Sequence, residues 1–357
     1  MAQMKRVAIL GAAGFIGNRL VERFHLDGTY EVVPVVRQSS ALALPCRFDI
    51  RPEIADVFDS AALADALEGC DAVVSAIAGD PKTIIGSIRP LHAAAERAGI
   101  RRLVYLSSQM VHGQAPTPGT DERSSLSLRQ PLAYNRAKVR AELLLRELGR
   151  KGRSEIVILR PGIVYGPRSQ WTGGLADQLL AGEAFLADRG AGICNAIYVD
   201  NVVHAVERAI EAESVSGEAF LINDSETVTW RDLARPIANA VGVELDKIRQ
   251  PSSAKILGAR EPFFKRVIVP AAKGLVRVLP KRVAEAQRAA RRAWRRKPID
   301  EQQGFEFSRE LALLHSCRAR LPVNKAERLL GYRPKVTFDE GCRRSVEWLR
   351  FAGYPVR

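Results

Sequence analysis

A tyrosine, a lysine and two serines are the residues of this chain best suited to moving a proton. Tyr134 and Lys138 lie four residues apart in a stretch with helical periodicity, so they share one face of the predicted helix. A tyrosine has an ordinary pKa of roughly 10, and a cation one turn away stabilises the phenolate. Ser107 and Ser108 end an apolar run, where a serine either hydrogen-bonds a substrate oxygen or caps a turn. The alternative for the tyrosine and lysine is an exposed helix pair.

Three glycines follow the first apolar run at the spacing of a phosphate-binding turn. Gly11, Gly14 and Gly17 lie between a predicted strand, Arg6–Leu10, and a predicted helix, Ile16–His25. In such a turn the first glycine permits the tight bend, the second lets the backbone approach a pyrophosphate, and the third permits close helix–strand packing. The helix N-terminus adds N–H donors and the positive end of a dipole. The sequence therefore predicts a pyrophosphate site near its start.

Short apolar runs alternate with helical patterns over the first two thirds of the chain. Such strands, separated by helices, form βαβ units and a parallel sheet covered on both faces. Sheets of this type place ligands beyond the carboxyl ends of their strands. After residue 223 the pattern loosens, with predicted helices at Trp230–Ala240, Phe263–Leu279 and Val283–Arg296 and a C-terminal portion at Asn324–Phe351. The predicted strands are Arg6–Leu10, Glu31–Val36, Ala72–Ala76, Arg102–Ser107, Ile156–Arg160 and Ala196–Val199, and the helices between them include Ile16–His25, Ala61–Leu67, Ile88–Ala98 and Ala133–Leu148.

Most of the net charge of +14 lies in one segment of the 357 residues. Residues 255–297 hold fourteen Lys or Arg against two acids, which leaves the remaining chain at +2. The overall charge therefore does not indicate nucleic acid as a partner. A hydrophobic fraction of 46% and this length predict a globular protein of about two domains. Five scattered cysteines predict neither a disulfide framework nor a metal site, and the sequence predicts a cytoplasmic location without a membrane-spanning helix.

Seven motifs, in order along the chain, resemble those of the extended short-chain dehydrogenase/reductase family, the NAD(P)-dependent epimerases and dehydratases. The sequence is also similar to the 3β-hydroxysteroid-dehydrogenase-like members of that family. The resemblance covers most of the chain and implies an α/β fold, a Rossmann-type doubly wound parallel sheet with a smaller, mostly helical C-terminal substrate domain. Residues 1–168 are expected to form the dinucleotide-binding domain, with 196–224 returning to it, while 169–195 and 225–357 form the substrate-binding region. The motifs are GAAGFIG at Gly11–Gly17, Asp56 with Val57, LSSQMVHG at Leu106–Gly113, Tyr134 with Lys138, LRPGIVYGPR at Leu159–Arg168, NAIYVDNVVHAV at Asn195–Val206 and LLGYRP at Leu329–Pro334.

The same resemblance implies roles for individual residues. It makes Tyr134 the acid/base, aligns the family's active serine with Ser108, and has Lys138 hold the nicotinamide ribose and tune the tyrosine. Arg37 stands where an acidic residue would bind the ribose 2′-hydroxyl of NAD, so it favours NADP over NAD; the alternative is a solvated arginine. Asp56 is expected to accept from the adenine amino group, and Asp59 to cap the helix that follows. The expected cofactor-binding residues are Gly11, Gly14, Phe15, Ile16, Gly17, Arg37, Asp56, Val57, Ala76, Tyr134, Lys138, Pro161, Gly162 and Val164.

The implied reaction is hydride transfer between a nicotinamide cofactor and a secondary alcohol or ketone, with a nucleotide-sugar as the leading substrate. Gln109 follows Ser108 where the sugar 4,6-dehydratases carry an acid pair, and this departure argues against dehydration. Epimerase and reductase stay open, because both use the same serine, tyrosine and lysine. Two further alternatives are an enzyme acting on a lipid-like or lipid-linked substrate at a membrane surface, and a non-catalytic, cofactor-sensing scaffold on the same fold.

The basic segment, residues 255–297, has three alternative interpretations. Apolar residues within Phe264–Leu279 fall on one helical face flanked by lysines and arginines, a pattern that predicts peripheral contact with an anionic membrane. Alternatively, the apolar face packs on the substrate-binding region and the arginines face solvent. In the third interpretation, arginines bind a substrate diphosphate. The family resemblance further implies a homodimer.

Overall fold

The structure, a computed structural model, describes residues 5–258 and 307–357 and is built around a parallel sheet of seven strands. Numbered in chain order, the strands are β1 (Arg6–Leu10), β2 (Glu31–Val36), β3 (Glu53–Ile54), β4 (Ala72–Ser75), β5 (Arg102–Leu106), β6 (Glu155–Pro161), β7 (Ile163–Tyr165), β8 (Ile193–Cys194), β9 (Ala196–Tyr198), β10 (Ala219–Ile222) and β11 (Val228–Thr229). The main sheet has the order β10-β6-β5-β4-β1-β2-β3, so the winding reverses between β1 and β4. This doubly wound sheet confirms the predicted fold class, and the reversal forms a crevice at the carboxyl ends of these strands.

Helices cover both faces of the sheet, and each face has its own apolar core. The helices are α1 (Phe15–Leu26), α2 (Ser60–Ala66), α3 (Pro81–Gly86), α4 (Ile88–Arg97), α5 (Ala133–Gly149), α6 (Leu175–Leu180), α7 (Val199–Glu211), α8 (Trp230–Ala240), α9 (Ser253–Gly258), α10 (Arg309–His315), α11 (Asn324–Leu330) and α12 (Phe338–Phe351). One core joins the sheet to α1, α7 and α11, and the other joins it to α2, α4 and α5. Both faces are therefore buried, which explains why the strands read as continuous apolar runs.

A third apolar core lies at the carboxyl edge of the sheet. It is formed by α6, α8 and α12 with the two small sheets, β7 with β9 and β8 with β11. Phe15 and Met110, which follow the carboxyl ends of β1 and β5, pack against this core. The smaller helical region therefore covers the edge at which the predicted site residues lie. Within the described ranges, no helix combines the length and apolarity needed to cross a bilayer.

Most predicted elements are present with their ends shifted by one or two residues, but the edge of the sheet differs. The predicted strand Ala196–Val199 ends at Tyr198 and pairs with β7 outside the main sheet, whereas β10 pairs with β6 at the sheet edge. A four-residue apolar run such as β10 carries no period that separates a strand from a buried helix. The domain boundaries stay a prediction, and the predicted helices Phe263–Leu279 and Val283–Arg296 lie outside the described residues.

Candidate active site

The glycine-rich turn between β1 and α1 is packed so closely that side chains do not fit. Gly11 has a φ of +79°, and a Cβ on it would lie 2.9 Å from the Ala76 carbonyl oxygen. A Cβ on Gly17 would lie 2.2 Å from the carbonyl oxygen of Gly11. Gly14 is the N-cap of α1 and has no side chain to cap the helix, so the first N–H groups of α1 are free to bind an anion. These features fit a dinucleotide pyrophosphate.

A cavity of about 410 Å³ extends from this turn across the carboxyl ends of β1, β2 and β4. Its lining is mainly apolar, as expected around an adenosine group, and Arg37 stands exposed at its rim directly after β2. The crevice at the reversal of the sheet is therefore open where the predicted cofactor would lie. The predicted cofactor residues that line this cavity are Gly11, Gly14, Phe15, Ile16, Arg37, Val57 and Ala76.

Other residues predicted to bind the cofactor have different surroundings. The exposed carboxylate of Asp56 accepts a hydrogen bond from the Phe58 N–H at 3.0 Å and does not line the cavity. Gly162, between β6 and β7, is close-packed, because a Cβ there would lie 2.0 Å from the Asn195 carbonyl oxygen. Pro161 ends β6 and Val164 lies in β7, and neither of them lines the cavity.

The helix α5 and the end of β5 bring the proton-transfer residues together. Tyr134 and Lys138 occupy the first two turns of α5, and Ser108 follows β5. The Ser108 hydroxyl accepts from the Met110 N–H at 3.1 Å, so this serine does cap a turn. Burial raises the pKa of Tyr134; the Ser108 hydroxyl partly offsets this rise, and the Glu310 carboxylate adds to it.

Lys138 is almost completely buried, with 2% of its surface exposed. Its Nζ donates to the Leu106 carbonyl oxygen at 2.9 Å and lies 5.0 Å from the centre of the Tyr105 ring. The alternative of an exposed helix pair is therefore wrong. Burial lowers the pKa of Lys138 to about 8, and the Glu142 carboxylate opposes that decrease.

A buried ion pair that sequence reasoning missed lies behind the lysine. The Glu142 carboxylate, on α5, accepts from Arg160 of β6 in bidentate geometry, at 3.0 Å from Nε and 2.7 Å from Nη2. Ser107 Oγ donates to the same carboxylate at 2.5 Å. Arg160 Nη1 lies 3.1 Å from His112 Nε2, and burial together with this cation lowers the pKa of His112 to about 4. The sequence feature that could have indicated this pair is the glutamate four residues after Lys138.

A second cavity, of about 290 Å³, lies in the smaller helical region. Trp171 and Trp230 form its aromatic wall, with ring centres 5.1 Å apart, and the Trp230 Nε1 donates to the Leu314 carbonyl oxygen. Among the described lining residues, Glu310 is the carboxylate, and its charge also acts on Tyr134. No lysine or arginine occurs among those lining residues. This cavity is suited to an uncharged part of a substrate.

A doubly wound sheet with a glycine-rich turn at its reversal (Gly11, Gly14 and Gly17, the glycine cradle) is the arrangement of a dinucleotide-binding fold. Residues 7–222 match the model of the NAD dependent epimerase/dehydratase family, so the chain belongs to that family. The predicted family is thereby confirmed, and the protein is an NAD(P)-dependent enzyme.

Proteins similar to this chain carry different names. The chain is 24% identical to a 3beta-hydroxysteroid-dehydrogenase/decarboxylase of Arabidopsis thaliana over 97% of its own length, and it spans 61% of the length of that protein. It is 24% identical to an N-acetyl-alpha-D-glucosaminyl-diphospho-ditrans,octacis-undecaprenol 4-epimerase of Escherichia coli, with 71% of the chain and 77% of the relative covered. The solved UDP-glucose 4-epimerase of Thermotoga maritima has a TM-score of 0.69 at 20% identity, covering 97% of this chain and 99% of that one. The structural match shows the shared fold.

Proposed function

We propose that this enzyme transfers a hydride between NAD(P) and a secondary alcohol or ketone, with a nucleotide-sugar as the leading substrate. Tyr134 is the acid/base, Ser108 orients the substrate oxygen and Lys138 is the supporting cation. The observation that carries the proposal is the position of these side chains on α5 and after β5, in the sheet whose β1 ends in the glycine cradle. One relative is named for a hydroxysteroid and another for a lipid-linked sugar. Similarity to both supports a reaction that the two substrate classes can share, at an alcohol or ketone carbon.

The proposed mechanism assigns proton movement to the chain and hydride movement to the cofactor. When bound, the cofactor supplies the nicotinamide carbon that accepts or donates the hydride. Tyr134 takes the proton of the substrate hydroxyl in one direction and returns it to the carbonyl oxygen in the other. Ser108 hydrogen-bonds the same oxygen and holds it within reach of the phenol. Lys138 keeps a positive charge near the phenolate, and its bond to the Leu106 carbonyl oxygen fixes its position.

Turnover by the purified protein tests this proposal. The cofactor that copurifies is identified by mass spectrometry, and each of NAD, NADP, NADH and NADPH is then tested with UDP-sugars, dTDP-sugars and ketones. Interconversion of epimers without net change in reduced cofactor identifies an epimerase, whereas stoichiometric use of NADPH identifies a reductase. Inactivity on the whole panel contradicts the proposal and supports the scaffold alternative.

Replacing Arg37 tests the cofactor preference. We expect Arg37→Ala to weaken NADPH binding about tenfold, the value of one charge-assisted hydrogen bond, and to leave NADH binding unchanged. Fluorescence titration of the reduced cofactors measures both affinities. Arg89→Ala, which removes an exposed arginine from α4 outside the cavity, is the matched control. Equal NADPH affinity in wild type and Arg37→Ala would identify Arg37 as a solvated arginine.

The aromatic cavity favours a second candidate, a lipid-like or lipid-linked substrate. Its described lining offers apolar and aromatic surface and no cation for a diphosphate. One relative is named for a hydroxysteroid and another for an undecaprenol-linked sugar, which supports this candidate. A substrate of this kind would place its apolar part between Trp171, Trp230 and Leu311.

Filling the cavity separates the two substrate classes. We expect Leu311→Trp to lower kcat/KM for a 3β-hydroxysteroid about tenfold, because an overpacked pocket costs roughly 1–3 kcal/mol, and to leave turnover of a UDP-hexose unchanged. Leu313→Trp, on the same helix but not lining the cavity, is the control. Unaltered steroid turnover in Leu311→Trp would exclude this cavity as the substrate site.

Three predictions about the surroundings of the enzyme stay predictions. The membrane contact assigned to residues 255–297 falls almost entirely outside the described residues. The homodimer and the cytoplasmic location rest on the family resemblance and on the composition of the sequence.

A further inference from the structure

We infer that Glu142 and Arg160, which lie behind the proton-transfer residues, are positioning residues that keep Lys138 in its ammonium form beside Tyr134. The inference rests on the proposed function, because it assigns a purpose to the charge of Lys138. It assigns a role to Glu142, which lies outside the quoted motifs, and to Arg160, which lies within LRPGIVYGPR but has no role there.

Three side chains of α5 are arranged in a row. Tyr134, Lys138 and Glu142 follow one another at intervals of four residues, so they lie along one face of the helix. The lysine is in the middle, with the phenol one turn before it and the carboxylate one turn after it. Glu142 is therefore placed to act on Lys138, which lies between it and Tyr134 along the helix.

The ammonium group of Lys138 has neutral groups as its immediate partners. Lys138 Nζ has three donors, and the protein acceptor described for it is the Leu106 carbonyl oxygen. The Tyr105 ring covers it from β5 and contributes a weak cation–π attraction. A buried ammonium with neutral partners alone tends to lose its proton, because burial disfavours the charged form. Glu142 supplies the negative charge that opposes this loss.

The carboxylate of Glu142 and its partner are themselves buried. The side chains of Glu142 and Arg160 are 0% and 1% exposed. Buried ion pairs contribute little net stability relative to well-packed apolar residues, so stability alone does not explain this one. Arg160 and the Ser107 hydroxyl fix both carboxylate oxygens, which holds the negative charge on the side of Lys138. The pair is thus placed to act on the lysine.

A second arginine–glutamate pair joins β5 to β6, away from Lys138. Arg102 of β5 is also 1% exposed and pairs with Glu155 of β6 at 2.7 Å, but Glu155 is 39% exposed. That pair lies at the amino ends of β5 and β6, away from Lys138. Arg102–Glu155, in which Glu155 also pairs with Arg101, is therefore a control ion pair away from Lys138.

The remaining titratable and charged groups around the site act in other ways. Glu310 of α10 raises the pKa of Tyr134 and is not among the groups that act on Lys138. His112, with a pKa of about 4, is neutral at neutral pH. Because burial already lowers the pKa of Lys138 to about 8, removing the Glu142 charge lowers it further and reduces the fraction of ammonium at pH 7. The phenolate of Tyr134 then loses part of the support of this cation.

Direct titration of Lys138 tests the inference without a substrate. The full chain is labelled with ¹⁵N-lysine, the Lys138 signal is assigned with Lys138→Met, and its pKa is measured by NMR. We expect Glu142→Gln to lower this pKa by about one unit or more, a tenfold change in the acid dissociation constant. Glu142→Gln leaves Arg160 unpaired and is at risk of misfolding, so Glu142→Gln/Arg160→Met, which removes both charges, is the second variant.

The controls separate this inference from the proposed function. Glu155→Gln, in the control ion pair, is expected to leave the Lys138 pKa unchanged. An unchanged Lys138 pKa in the folded double variant overturns the inference and makes the pair purely structural. If Lys138 shifts as expected and the pH profile of kcat does not, the inference stands and the catalytic role proposed for Lys138 fails.

Discussion

Tyr134→Phe is expected to lower kcat about a thousandfold, within the usual range for loss of a positioned acid/base, and to leave cofactor affinity unchanged. The substitution removes the phenol oxygen and keeps the ring that packs against the core beneath α5. Cofactor binding is preserved because the glycine cradle and the 410 Å³ cavity do not include Tyr134. Steady-state kinetics and NAD(P)H fluorescence titration measure the two quantities.

A second tyrosine provides the control for this variant. The Tyr30 hydroxyl donates to Glu211 at 3.1 Å, and Tyr30 lies in the core between the sheet and α7, remote from Ser108. Tyr30→Phe should cost about 1 kcal/mol of folding free energy and leave kcat unchanged. Retention of wild-type kcat by Tyr134→Phe would overturn the assignment of the acid/base, whereas an equal loss in both variants would indicate a general effect of removing a buried hydroxyl.

The pKa of Tyr134 depends on burial of the phenol, which the sequence does not show. The sequence predicts that Lys138, together with the positive nicotinamide of a bound cofactor, moves the pKa of the Tyr134 phenol toward neutrality. In the structure, burial raises that pKa, and Ser108 is the group that lowers it. Desolvation depends on residues brought together from α5, β5 and α10, and no local pattern encodes it. The base proposed at Tyr134 would therefore rely on the positive charges of Lys138 and of a bound nicotinamide to work near neutral pH.

The parts of the fold predicted correctly are those with a local physical cause. The bounds of β1 and β2 match the prediction because apolar runs between Gly-rich or charged residues leave few alternatives. Asp59 is the N-cap of α2, as the sequence predicts, and its carboxylate accepts from the first N–H groups of that helix. By contrast, β3 has two residues and depends on pairing with β2, which cannot be read from its own sequence.

The candidate site residues that the sequence did not reveal share one property. Each depends on contacts between elements that lie far apart along the chain. Arg160 is a single charge in an apolar strand, and its role appears only when α5 places Glu142 against it. Trp171 and Trp230 come from segments on either side of β8 and β9, and they meet as an aromatic wall. The role of Asp56 toward an adenine group stays a prediction; in the structure its exposed carboxylate also accepts a hydrogen bond from the Phe58 N–H.

Gly17→Ala is expected to abolish cofactor binding, because the added Cβ would lie 2.2 Å from the Gly11 carbonyl oxygen. That oxygen also accepts from the Gly14 N–H at 2.9 Å, so relieving the clash distorts the whole turn. Loss of two charge-assisted hydrogen bonds to the pyrophosphate lowers affinity for NADH and NADPH by about a hundredfold or more. The same overpacking costs about 1–3 kcal/mol of folding free energy, measured by chemical denaturation.

Gly28→Ala distinguishes the clash from the general cost of replacing a glycine. Gly28 has a φ of +60°, and a Cβ on it would have no atom within 4 Å, so its substitution costs about 1–2 kcal/mol of backbone strain and nothing at the cofactor site. If Gly17→Ala and Gly28→Ala lose similar stability but only Gly17→Ala loses cofactor affinity, the cradle is the pyrophosphate site. Wild-type affinity in a folded Gly17→Ala variant would instead place the cofactor phosphates away from α1. Because both reduced cofactors share the pyrophosphate, their affinities must fall together here, unlike the selective loss expected for Arg37→Ala.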